Sequence, residues 1–70
     1  MAEDLDELIR QIEVTRQSRD EAVETCEREL DAGRTGLTHY QTAKLHQATL
    51  EALVTRAQLA IDAALTELSQ

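Results

Sequence analysis

Two histidines, one cysteine and several paired carboxylates are the residues of this chain whose types and spacing come nearest to a chemical site. His39 and His46 stand seven residues apart, so on a helix they share one face two turns apart. That is too far for the i, i+4 pairing of helical metal sites, and no metal is expected. Cys26 falls within an apolar stripe with no cation near it in sequence, the setting of a small buried hydrophobe rather than an activated thiolate. Carboxylate pairs such as Glu27 and Asp31 lie in a charged stretch with no pocket to perturb them. No serine stands in a recognisable arrangement with a histidine and an acid, and no glycine-rich phosphate loop occurs. The residues therefore predict neither an enzyme nor a cofactor, and function has to be sought in surfaces.

The elements that carry those surfaces are read from punctuation. The only two glycines, Gly33 and Gly36, sit at the midpoint of a 70-residue chain that contains no proline. Glycine is the usual residue where a helix stops in a left-handed conformation, and proline the usual breaker, so the chain reads as helix, turn, helix. The expected fold is all-α: an antiparallel, coiled-coil-like two-helix hairpin, with helices over about 4–32 and 38–68, a turn at about 32–37, and one domain spanning 1–70. Asp4 with Glu7, and Thr38 with Gln41, have the spacing of capping boxes at the two helix starts.

Apolar spacing then assigns faces. In the first helix Leu5, Ile9, Ile12, Val23, Cys26 and Leu30 recur in steps of three and four, with Leu8 and Ala22 beside them. Thr15, Arg16 and Arg19 interrupt that stripe, their long stems suited to covering apolar surface. In the second helix Leu50, Leu53, Val54, Ala57, Ala60, Ile61, Ala64, Leu65 and Leu68 make one wide face. Leu45, Ala48, Ala52, Leu59 and Ala63 make another, nearly opposite. The expected hairpin core is Leu5, Ile9, Ile12, Val23, Cys26, Leu30, Leu50, Val54, Ala57, Ile61 and Leu68. One neighbouring helix covers one face only, so Leu45, Ala48, Ala52, Leu59 and Ala63 are expected to bind a partner.

Size and charge point the same way. Two helices of this length bury one strip each, and with a single cysteine no internal disulfide can add stability. A partner has to supply what the core lacks. The net charge is −7, with eleven acids against four arginines in residues 1–33 and three acids against three bases in 34–70. Phosphate backbones are repelled by such a chain, and Tyr40 is its one aromatic residue, so nucleic-acid binding is not expected. Apolar runs are too short for membrane spanning or a secretory leader, which makes the expected location cytoplasmic.

The stretch Cys26-Glu27-Arg28-Glu29-Leu30-Asp31-Ala32-Gly33, followed by Tyr40-Gln41 and by Leu50-Glu51-Ala52, resembles the small E-type co-chaperones of type III secretion needle proteins. Length and hairpin layout match over nearly the whole chain. The resemblance implies a cytoplasmic, non-enzymatic hairpin that binds and stabilises a tetratricopeptide-like chaperone. That chaperone's groove holds the needle subunit unpolymerised before export, a step in virulence-associated protein transport. The positions that carry over are Cys26, Leu30, Tyr40 and the apolar residues of the second helix. The competing expectation is a homodimeric four-helix bundle acting as a regulator or scaffold, in which two isolated copies bury each other's spare faces.

Overall fold

A computed structural model describes residues 4–70 and shows two helices, α1 (Leu5–Asp31) and α2 (Leu37–Leu68), packed side by side in an antiparallel hairpin. The hairpin measures 59 × 18 × 15 Å. Helix α1 starts as its sequence demands: the Asp4 carboxylate accepts from the backbone N–H groups of Asp6 and Glu7. The Glu7 carboxylate meanwhile accepts from Arg10 and Gln11.

The turn explains both glycines. Gly33, at φ +80°, ends α1 in a Schellman motif, its N–H bonded to the Leu30 carbonyl and the Arg34 N–H to that of Glu29. Arg34 also closes an ion pair on the Glu29 carboxylate, which holds that carboxyl below its ordinary range and the guanidinium above its own. Gly36, at φ +63°, precedes α2 and lies against Cys26, whose thiol donates to the Gly36 carbonyl at 3.4 Å. The expected Thr38 cap is not what starts α2. The helix begins one residue earlier, at Leu37, because Gly36 brings the chain directly under α1, and Thr38 is already inside the helix.

A methyl group at Gly36 meets the Cys26 carbonyl oxygen and sulfur at 3.0 Å, whereas one at Gly33 meets nothing within 4 Å. Left-handed backbone strain alone costs about 1–2 kcal/mol for alanine. Gly33→Ala should lose about that much in a denaturation experiment, and Gly36→Ala clearly more, because it must also push the helices apart at the corner.

The seam between the helices follows a heptad rather than an ideal-helix projection. In α1 it runs through Leu5, Leu8, Ile12, Thr15, Arg19, Ala22, Cys26 and Glu29; in α2 through Gly36, His39, Ala43, His46, Leu50, Leu53, Ala57 and Ala60. Every one of these residues is buried or half-buried, and their steps alternate three and four without a break. Arg19 bonds across to Gln47 at 2.8 Å, and Leu8 packs with Leu53 and Ala57, with Leu5 and Ile12 against them. Residues whose numbers add to about 65 therefore share a level. The open end is apolar, while the half nearer the turn carries Arg19, Glu29, His39 and His46 around an Ala22–Ala43 level.

This register corrects the expected core. Leu50 and Ala57 are buried, and Leu5, Ile12 and Cys26 half-buried, but Ile9, Val23, Leu30, Val54, Ile61 and Leu68 are exposed. Each of the six sits one residue after a seam position of the heptad, beside Leu8, Ala22, Glu29, Leu53, Ala60 and Glu67 in turn. Supercoiling at 3.5 residues per turn keeps the seam on the earlier residue and rolls the later one out to the side. Leu8, Ala22, Ala43 and Leu53 take their places in the core.

Candidate interaction surfaces

Once a and d positions are spent on the seam, the next positions decide what each side of the hairpin presents. Opposed helix directions place the residues that follow d on the same side of both helices. That side carries Ile9, Arg16, Val23 and Leu30 from α1 and Tyr40, Gln47, Val54, Ile61 and Leu68 from α2. It is apolar at both ends and polar at mid-length, where Arg16 and Gln47 share a level. The apolar members run from 37% exposed at Val54 to 83% at Leu68 and form two clusters, one on each side of the polar mid-level. Its α1 edge is a row of acids, Asp6, Glu13, Asp20 and Glu27, spaced by seven. Its α2 edge is Leu37, Lys44, Glu51, Gln58 and Leu65, with the Lys44 ammonium 5.5 Å from the Tyr40 ring centroid.

The opposite side is polar. A groove there is lined by Gln11, Thr15, Thr49 and Arg56, with Val14 and Leu53 at its floor and walls.

The residues expected to bind a partner are all exposed, and Leu45 and Leu59 are 71% and 65% exposed. Leu45, Ala52 and Leu59 are spaced by seven and form an outer stripe on α2, with Ala48 and Ala63 along its borders. At two residues' separation in a heptad, this stripe is turned roughly 150° around α2 from the apolar side face. Helix α2 was expected to keep one uncovered apolar face, the outer stripe; it keeps a second as well, because Val54, Ile61 and Leu68 are exposed and join Ile9, Val23 and Leu30 of α1 in a face shared by both helices. Sequence reasoning missed that shared face, and the regular 3,4 spacing of residues such as Thr15, Arg19, His39 and His46 was the signal that locates it.

The residues with site chemistry are dispersed along the seam. His39 falls opposite Cys26 and His46 opposite Arg19, about 10 Å apart along the axis at 1.5 Å per residue. Among the described residues no group of three or more His, Cys, Asp or Glu side chains is placed to hold a metal ion. No helix among them is long and apolar enough to cross a membrane.

No family model, no curated protein and no solved structure matches this chain.

Proposed function

We propose that the chain is a non-enzymatic co-chaperone that docks on a tetratricopeptide-like helical chaperone and stabilises it. In this reading the pair works in the cytoplasm and keeps a type III secretion needle subunit unpolymerised before export. The observation that carries the reading is a hairpin whose exposed leucines stand along the outside of one helix. A ridge made of Leu45, Ala52 and Leu59 fits the concave surface of stacked helix pairs, and the flanking alanines allow close approach. The resemblance around Cys26–Gly33 and Tyr40-Gln41 supplies the identity of the partner class.

Exposed leucines of this size contribute about 1.5–3 kcal/mol each when buried in an interface. Replacing Leu45 and Leu59 together by Asp should therefore abolish co-purification with a co-expressed tetratricopeptide-like chaperone. Helix content by circular dichroism should stay unchanged, because neither side chain touches the seam. Undiminished co-purification of the folded double variant would remove the outer stripe from the interface.

A further inference from the structure

We infer that two copies of this chain associate through the apolar side face into a four-helix bundle. In that bundle α1 of each copy lies against α2 of the other, and the two-fold axis runs parallel to the hairpin. The chain exposes 5525 Å², whereas a compact monomer of 7.8 kDa exposes about 4,400 Å². The excess, about 1,100 Å², is more than the roughly 800 Å² that each partner buries in a standard interface. The excess comes with the elongated 59 × 18 × 15 Å shape, and one side of the hairpin carries seven of the twelve exposed large apolar side chains among the described residues.

A two-fold axis along the hairpin keeps every residue at its own level. Ile9 then meets Val54 of the second copy, Val23 meets Tyr40, and the polar mid-level meets its like. Charges at the rim bear on this arrangement. Asp20 stands beside Lys44 of the second copy, the chain's single lysine, and Glu51 of that copy lies between Glu13, at its own level, and Arg16, about one turn on. Packing α1 against α1 instead sets the row Asp6, Glu13, Asp20, Glu27 against itself in any register, where like charges oppose each other. The second copy leaves the outer stripe of α2 uncovered, so the inference is independent of the co-chaperone reading.

The test is sedimentation equilibrium of the full chain over a range of concentrations, with circular dichroism on each variant. A dimer is expected. Val54→Asp should raise its dissociation constant about 30-fold or more, as a charge set in an interface centre does, while Leu45→Asp leaves it unchanged. Lys44→Glu should weaken the dimer about tenfold, and adding Asp20→Lys should restore it. Both of those residues are exposed in the hairpin, and because the Asp20 carboxylate also holds the seam residue Arg19, the thermal melt of Asp20→Lys alone is the control that separates loss of the seam from loss of the interface. A monomer at every concentration overturns the inference and leaves the side face to a heterologous helix. Sensitivity to Leu45→Asp but not to Val54→Asp overturns the choice of face, and a charge swap that fails to restore association overturns the α1-against-α2 arrangement.

Discussion

Leu8→Ala should lower the stability of the hairpin by about 3 kcal/mol and its melting temperature by about 15 °C. Leu8 is the most buried side chain described, 2% exposed, and with Leu53 and Ala57 it forms the buried cluster at the centre of the apolar seam. Truncation removes the methyl groups that fill the space between Leu5 and Ile12, and the small Ala57 opposite has nothing to put in their place. Domains of this size have stabilities near or below the usual 5–15 kcal/mol, so the loss is a large fraction of the whole. The informative control is Ile9→Ala, one residue along the same turn. Ile9 is half exposed, so its truncation should cost the single hairpin about 1 kcal/mol or less. Both melts belong at the same low protein concentration, because self-association makes melting temperature depend on concentration. Equal losses at the two positions would contradict the seam register.

That contrast also marks how far the sequence was legible. Helix, turn and helix were readable because Gly33 and Gly36 are the only helix-stopping residues in the chain, and both adopt positive φ. The ends at Asp31 and Leu68 fall within a residue of expectation. The seam was not readable by hydrophobicity, for a physical reason. It passes through Thr15, Arg19, Glu29, His39 and His46; Val14, Leu30, Tyr40 and Leu45 stand beside four of these, and Arg19 lies in a wholly polar stretch. Choosing the apolar member selects Leu30 over Glu29, and Ile9 and Val54 in place of Leu8 and Leu53, and so draws a core along the side of the hairpin. Period decides the matter where polarity misleads, because one unbroken 3,4 alternation from Leu5 to Glu29 has a mirror from Gly36 to Ala60. The residues so displaced are those that now form the apolar side face. An apparent excess of core residues in a two-helix chain thus turns into exposed apolar surface once the period of the seam is respected.

The polar half of the seam sets up the second large effect, in the opposite direction. Arg19 is held at the interface by Gln47 across the seam and by Asp20 on its own helix, with its side chain 29% exposed. His46 is half-buried at the same level. Desolvating these groups costs more than their hydrogen bonds return, and replacing buried polar sets by well-packed apolar residues is often stabilising by about 1–4 kcal/mol. Arg19→Leu with His46→Leu joins the Ile12–Leu53 level to the Ala22–Ala43 level through apolar side chains, and should stabilise the hairpin within that range in urea titrations. The single changes should not add up to the double one, since each leaves a bulky polar partner facing a leucine. What the polar level contributes instead is register. With Leu at both positions the two helices can slide by a heptad at little cost, and additional copies can pack on a seam that has lost its marker. The double variant should therefore sediment as a mixture of species while resisting denaturant better than the natural chain. A destabilised double variant would show that the Arg19 network holds the hairpin closed. The stabilised, heterogeneous outcome would show that this chain gives up stability at its turn end to keep one register, and with it the alignment of Ile9 with Val54 and of Val23 with Tyr40 on which the side face depends.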